Sequence, residues 1–147
     1  MKEEEALRLV NSFNFSADKA YPLKNEASGR VYWRATNQSE SIILCFLDPS
    51  LGNHNKFIDI SEQLSANDIS GVKVLHHDEK HGITIQNDLG DNDLLKVLDE
   101  NNKQELLNKS LDLLIDIQNI RFDNIDKFKS EDLKEQILKF ADKKTLI

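Results

Sequence analysis

A short segment of alternating apolar residues, followed by a continuous apolar run, most constrains the fold of this chain. Residues 30–35 alternate between two faces, and the run Ile42–Leu47 contains no polar residue. Period-two alternation predicts a half-buried strand, whereas an apolar run of strand length predicts burial on both faces. Polar turns at 25–29 and 37–40 would join a strand ending near Lys24 to these two in an antiparallel meander. One face of the second strand carries Val31, Trp33 and Ala35, and the other carries Arg30, Tyr32 and Arg34.

Periodicity elsewhere in the chain completes the expected order of elements. Lys2–Phe13 and His54–Ser65 place apolar residues at helical spacing, and acidic residues begin the first of these helices. Val72–Leu75 and Ile83–Ile85 are expected to be short strands, separated by the polar turn His76–Gly82. The sequence therefore predicts an α+β fold with a five-stranded antiparallel sheet and one helix inserted after the third strand.

Only helices are predicted after the sheet. Asn92 is expected to cap a short helix that ends at Leu98, and Ser130 to cap a helix over Glu131–Asp142. Between them, Gln104–Asn119 shows the strongest helical pattern. A helix that lies on one sheet needs an apolar stripe of only about 100°, and this helix carries a wider one. It is therefore expected to have apolar contacts on more than one side, through Leu106, Leu107, Leu111, Leu113, Leu114, Ile115 and Ile117.

Charge and apolar content limit the classes of partner. The net charge of −7 disfavours binding to nucleic acid or to an anionic membrane, because either needs a basic surface. No apolar run approaches the roughly 18 residues of a membrane span, and we expect a cytoplasmic protein with no membrane partner. Cys45 lies inside an apolar run and is interpreted as a small buried hydrophobe rather than a reactive thiol.

Three segments resemble motifs of the aminoglycoside phosphotransferase family. Residues 25–34 are similar to the phosphate-loop signature of its bacterial cell-wall amino-sugar kinases, the N-acetylmuramate and N-acetylglucosamine kinases. That signature reads Gly-Asp-Ala-Ser, one variable residue, Arg, another variable residue, Tyr, an aromatic residue and Arg. Residues 85–91 are similar to the family's hinge, Leu-Glu-Asp-Leu-Gly-Asp, and residues 113–118 to its first large-lobe helix. In the first motif Ala27, Ser28, Arg30, Tyr32, Trp33 and Arg34 match, whereas Asn25 and Glu26 depart.

The resemblance implies a kinase-like fold and a nucleotide site. Residues 1–98 would form the small lobe, and residues 99–147 the first helices of a truncated large lobe. The implied activity of the full-length parent is ATP-dependent phosphorylation of an amino-sugar hydroxyl, with Mg²⁺ as the metal ion. The implied partners are the nucleotide, and a sugar bound through the rest of the large lobe. The implied nucleotide-binding residues are Ala27, Ser28, Gly29 and Arg30 in the phosphate turn and Gln86, Asn87, Asp88 and Leu89 in the hinge.

Elementary chemistry fits both segments. A turn of small residues lets backbone N–H groups approach phosphate oxygens, and the Ser28 hydroxyl adds a donor. At the hinge, backbone groups would meet the edge of an adenine ring. The turn could also be a plain hairpin connection, and the hinge an ordinary strand end.

Two departures from the family bear on catalysis. The third strand lacks the lysine with which a typical kinase binds phosphate oxygens. Lys24 or Arg30 could substitute for it. Glu62 lies on the inserted helix, where a typical kinase has the residue that pairs with this lysine, and it would have no such partner here. No His-Gly-Asp loop with a following Asn and a later metal-binding Asp occurs after Leu114. We therefore assign no catalytic and no metal-binding residue to this chain. It is expected to be inactive by itself, with the longer parent supplying those groups.

Two other interpretations remain open. His76, His77 and His81 with Asp78 could hold a metal ion, but adjacent residues of a strand face opposite sides, so a solvated turn is the simpler interpretation. The chain could also be a non-catalytic α+β module that binds a protein through an open sheet edge. A kinase part should expose apolar surface on the helix that begins at Gln104, whereas a self-sufficient module should not.

Overall fold

The computed structural model describes residues 1–24 and 29–122 as a five-stranded antiparallel sheet with helices around it. This confirms the α+β class, the five strands and the helix inserted after the third strand. The predicted helix Glu131–Asp142 lies outside the described residues. The elements in chain order are α1 Glu3–Ser12, β1 Lys19–Pro22, β2 Val31–Thr36, β3 Ser41–Phe46, α2 Asn55–Ala66, β4 Val74–Asp78, β5 Ile83–Asn87, α3 Leu94–Val97 and α4 Lys103–Asn119.

The sheet has the strand order β1-β2-β3-β5-β4, so β3 lies in the middle and β4 at an edge. Residues directly opposite each other on neighbouring strands share a face of the sheet. Trp33, Leu44 and Ile85 form one such row across β2, β3 and β5. The next row along these strands lies on the opposite face and contains Tyr32, Cys45 and Thr84. The two faces therefore have different chemistry.

Helix α1 covers the apolar face. Ala6 and Val10 lie one turn apart on α1, and both are fully buried. They belong to one apolar cluster with Trp33, Leu44 and Ile85. Full burial of a large aliphatic side chain such as Leu44 stabilises the fold by roughly 1.5–3 kcal/mol. The apolar face of α1, which the helical spacing predicted, thus covers the core on this side of the sheet.

The opposite face is also buried, although it carries polar groups. Cys45 is fully buried, which confirms its interpretation as a small hydrophobe, and burial raises the pKa of its thiol. Gln86 donates a hydrogen bond of 2.9 Å from Nε2 to Oγ1 of Thr84. The expectation that β2 is only half-buried is wrong at Arg34, whose exposed fraction is 7%. Its guanidinium is buried because it is paired with carboxylates, as described below.

Strand β4 extends further than its sequence predicted. The expected strand Val72–Leu75 is instead Val74–Asp78, with a bulge after Val74. His76 and His77 therefore belong to the strand and not to a turn, because pairing with β5 overrides their weak local strand preference. The His76 ring lies 5.5 Å from that of Phe13 on α1, whereas His77 pairs with Thr84 of the other face.

Helix α3 is a single turn capped by a different residue from the one predicted. Asp93, and not Asn92, is the N-cap, and its side chain accepts a hydrogen bond of 2.9 Å from the Lys96 backbone N–H. Helix α4 agrees with the prediction to within one residue, and none of its residues is buried. In the part of the chain that the structure describes, no helix is long and apolar enough to cross a membrane.

His54 joins the start of α2 to the turn between β4 and β5. Its exposed fraction is 1%, and its Nε2 lies 3.0 Å from the Gly82 carbonyl oxygen, to which it donates. Within residues 1–24 and 29–122 no group pairs with its Nδ1. Burial lowers the pKa of His54, the Gly82 hydrogen bond opposes this, and the charge of Arg30 lowers the pKa further. The imidazole is therefore neutral in the folded protein at pH 7.

This geometry predicts a loss of stability in mild acid. An unfolded His has a pKa of about 6.5, and the folded pKa of His54 is lower. Below about pH 6.5 the unfolded chain therefore binds a proton at this His, whereas the folded protein does not. As the pH is lowered from about 6.5, the free energy of unfolding decreases until the pH reaches the folded pKa. We expect a lower urea midpoint at pH 5.5 than at pH 7.5. In His54→Gln the amide can replace the Nε2 donor without titrating, so this difference should shrink. Equal pH dependence in the two proteins would contradict the assignment.

Candidate functional site

A three-residue ion-pair cluster joins β2 to the segment that follows β5. Arg34 Nε lies 2.6 Å from Asp88 Oδ2, and Arg34 Nη2 donates a 2.9 Å hydrogen bond to Asp88 Oδ1. The third donor, Arg34 Nη1, lies 2.6 Å from Asp91 Oδ1. The guanidinium thus meets both oxygens of Asp88, one through a hydrogen bond and one through a close ion-pair contact, and it makes a single hydrogen bond to Asp91. Hydrogen bonds between charged groups of this kind are strong.

Burial differs sharply between the two carboxylates. The side chains of Arg34 and Asp88 are 8% and 5% exposed, whereas that of Asp91 is 75% exposed. The hydrogen bond to Asp91 raises the pKa of Arg34 above its usual value. Burial of the guanidinium opposes this rise, whereas the contacts with Asp88 add to it. Burial alone would raise the pKa of Asp88, but hydrogen bonds from Gly90, Ser41 and Arg34 outweigh it and lower that pKa. Arg34 and Asp88 are therefore both ionised at neutral pH.

The segment 88–91 is folded around this cluster. Gly90 has a φ of +80°, a conformation that glycine adopts without steric cost. Its backbone N–H donates a 2.8 Å hydrogen bond to Asp88 Oδ1. At the far end, Lys96 Nζ donates a 2.6 Å hydrogen bond to the Asp91 carbonyl oxygen. The chain therefore leaves the sheet in a turn that side chains fix at both ends.

The four predicted hinge residues differ in what their backbones can do. Gln86 and Asn87 belong to β5, and Gln86 lies opposite Ile43 and Val74 in the two flanking strands. The Asn87 N–H donates to the Lys73 carbonyl at 3.1 Å. Outside the helices and strands, by contrast, no backbone–backbone hydrogen bond involves Asp88 or Leu89 among the described residues. The backbone beyond the end of β5 is therefore the part of the hinge that such bonds do not tie to a neighbouring segment.

The phosphate turn is described only in part. Ala27 and Ser28 lie outside the described residues. Gly29 has a φ of +71°, and a Cβ placed on it would lie 3.9 Å from Leu51, so Gly29 itself lies beside the connection between β3 and α2. Arg30 follows, and it is half-buried. The part of the chain that the structure describes offers no carboxylate within ion-pair distance of it.

Arg30 and Arg34 lie on the face of the sheet opposite α1. Val31 packs against the α1 core, so alternation puts Arg30 on the same side as Tyr32 and Arg34. The charge of Arg30 opposes the rise in the pKa of Cys45, which agrees with a position near that strand. Arg30 and Arg34 are separated by about 13 Å at the usual rise of a strand.

The remaining sequence candidates do not join this cluster. Lys24 and Glu62 are exposed, as expected for solvated charges. His81 Nδ1 lies 2.7 Å from Asp78 Oδ2, which closes the turn after β4. Among residues 1–24 and 29–122 no group of three His, Cys, Asp or Glu side chains could hold a metal ion. The ion-pair cluster itself was missed, although both of its ends lie in segments that resemble family motifs.

No protein-family model matches this chain, and the curated proteins contain no match to it. Function is therefore inferred from the quoted motif residues and from the geometry around Arg34.

Proposed function

We propose that this chain is the nucleotide-binding, N-terminal part of a small-molecule kinase of the aminoglycoside phosphotransferase type. In the full-length protein it would contribute to ATP-dependent phosphorylation of an amino-sugar hydroxyl. The observation that carries the proposal is the ion pair between Arg34 and Asp88. It joins two segments that resemble consecutive motifs of one family and that lie 54 residues apart in sequence. Two unrelated local resemblances would have no reason to meet.

The adenine end of the proposed site is the backbone of Asp88 and Leu89. An adenine edge offers one donor and one acceptor, and it needs backbone groups that are not already paired. Outside the helices and strands, no backbone–backbone hydrogen bond involves Asp88 or Leu89 among the described residues, and Leu89 is 63% exposed. The proposed contacts at Gln86 and Asn87 are then through side chains or through packing, because both residues belong to β5.

The phosphate end is the turn at Ala27–Arg30. Phosphoryl transfer depends mostly on positioning and on neutralising the charge of the phosphates. The third strand supplies no cation, since its centre is the buried Cys45. The planar guanidinium of Arg30 suits binding to two phosphate oxygens at once, and no carboxylate of the described residues forms an ion pair with it. We assign it the role that the strand lysine has in a typical kinase.

Helix α4 favours this proposal over a self-sufficient interaction module. A module should cover its apolar side chains, whereas the first helix of a larger lobe should expose them until that lobe packs on it. The exposed large apolar residues of α4 are Leu107, Leu111, Leu113, Leu114 and Ile115. The catalytic base, the Mg²⁺ ligands and the sugar site would come from the rest of that lobe. A cytoplasmic location, where ATP is abundant, belongs to the same proposal.

Titration of ¹⁵N-labelled protein with ATP tests the proposal. We expect millimolar or weaker binding, because half of a cleft buries only part of the ligand. Amide shifts should appear at Gly29, Arg30, Asp88 and Leu89. Arg30→Gln should weaken the shifts, whereas the matched variant Arg8→Gln, on the exposed side of α1, should not. Shifts confined to residues 76–81, or no shifts at all, would contradict the proposal.

A further inference from the structure

We infer that Arg34 is a positioning residue for the adenine end of the site, and that Asp91 completes its action. This inference rests on the proposed function. Arg34 need not touch the nucleotide. Its role is to hold the segment 88–91 in the one conformation that leaves the backbone of Asp88 and Leu89 available.

Both oxygens of the Asp88 side chain are held in place. Its Oδ1 accepts from both Arg34 Nη2 and the Gly90 N–H, and its Oδ2 lies against Arg34 Nε. The carboxylate is thereby held inside the protein, at 5% exposure, with the Gly90 N–H as its local backbone donor. A free Asp side chain readily forms other local bonds to the backbone. The ion pair with Arg34 thus holds Asp88 in the arrangement that directs its local bond to Gly90 and not to Leu89.

Asp91 holds the other end of the segment 88–91 through its contact with Arg34. This carboxylate is 75% exposed, so its contribution to the stability of the fold is small. It nevertheless fixes the far end of the turn, since Arg34 Nη1 holds its side chain and Lys96 Nζ holds its carbonyl. Without the side-chain contact, the segment after Gly90 keeps only the Lys96 hydrogen bond. Removal of the Asp91 charge should therefore loosen the turn without unfolding the sheet.

Strand β2 connects the two ends of the proposed site. Arg30 precedes β2 directly, and Arg34 lies inside β2. One short, well-paired strand therefore carries both the proposed phosphate cation and the residue that shapes the adenine end. A nucleotide that touches both segments should be sensitive to Arg34 even though its phosphates lie near Arg30.

The test compares Asp91→Asn with Asp91→Glu and with Asp112→Asn, a matched charge removal on the exposed surface of α4. In Asp91→Asn we expect the ATP-induced shifts at Asp88 and Leu89 to fall and the apparent affinity to drop by about threefold to fivefold. The shift pattern at Gly29 and Arg30 should keep its direction. Exchange of the Gly90 amide with solvent should become faster in the free protein. Asp91→Glu, which keeps the carboxylate, should restore these properties, and Asp112→Asn should resemble the wild type.

The outcomes separate the two proposals. If ATP shifts the wild-type amides at both segments and Asp91→Asn behaves identically in shifts, affinity and Gly90 exchange, the positioning role is wrong and the nucleotide site stands. If the wild type shows no shift at either segment, the proposed function fails and this inference fails with it. A loss of ATP response in Asp112→Asn as large as in Asp91→Asn would also overturn the inference, since it would reduce the effect to net charge.

Discussion

Arg34→Met is expected to lower the free energy of unfolding by about 3–5 kcal/mol, because it leaves a buried carboxylate without its partner. Asp88 is 5% exposed, hydrogen bonds from Gly90, Ser41 and Arg34 lower its pKa, and Arg34 is its ion-pair partner. For a domain of this size such a loss corresponds to a fall in Tm on the order of 10 °C. Urea unfolding at pH 7, followed by circular dichroism, measures it. The methionine retains most of the aliphatic length of arginine, so the loss reports the charge and not a cavity.

Two companion variants make this measurement specific. Lys109→Met breaks the exposed pair between Lys109 and Glu105, with its separation of 2.6 Å, and should leave the urea midpoint unchanged. The double variant Arg34→Met with Asp88→Leu removes both charges and should recover a large part of the lost stability. A single Arg34→Met variant within about 1 kcal/mol of the wild type would mean that the cluster is not desolvated as its geometry requires.

Gly82→Ala is expected to cost at least about 3 kcal/mol, from left-handed backbone strain and from a steric clash. Gly82 has a φ of +63°, and a Cβ on it would lie 1.9 Å from the Leu47 carbonyl oxygen. That oxygen belongs to the backbone and cannot rotate away. The same turn receives hydrogen bonds from Leu47 N–H at 2.9 Å and from His54, so any shift also breaks these. Loss of soluble, cooperatively unfolding protein would be the strongest form of this result.

Gly90→Ala is the matched control. Gly90 also has a positive φ, of +80°, but a Cβ on it would meet nothing within 4 Å. It should therefore show only the backbone strain of a left-handed residue, about 1–2 kcal/mol. The difference between the two alanine variants isolates the clash with Leu47. An equal loss of unfolding free energy at the two positions would show that the turn at Gly82 can accommodate a Cβ, and would contradict the predicted clash with Leu47.

Local sequence pattern predicted the elements of this fold better than it predicted their ends. The apolar run of β3 and the alternation of β2 identify strands because side-chain burial on a sheet has period two. The end of β4 was misplaced because His76, His77 and Asp78 have the composition of a turn, while their pairing with β5 makes them a strand. Pairing energy comes from a partner strand, and no local window contains it.

The candidate site was predictable only where its chemistry is local. The resemblance pointed to the turn that includes Gly29 and to the segment that includes Asp88, where Gly29 and Gly90 have positive φ. The bridge from Arg34 to Asp91 spans 57 residues and cannot be inferred from spacing. The alternation of β2 predicted a half-buried strand, with Arg34 on the face opposite Trp33, and an arginine is seldom buried unless it is paired. The pairing itself is the information that the sequence pattern lacks.

The central claim is that one face of this sheet binds a nucleotide at two separate ends. Titration of the labelled protein with adenosine and with inorganic tripolyphosphate, in parallel with ATP, tests it most directly. We predict that adenosine shifts the amides of Asp88 and Leu89, that tripolyphosphate shifts those of Gly29 and Arg30, and that ATP shifts both sets. Shifts by ATP that tripolyphosphate reproduces completely, with no response to adenosine at Asp88 or Leu89, would contradict the claim and reduce the site to a nonspecific anion contact.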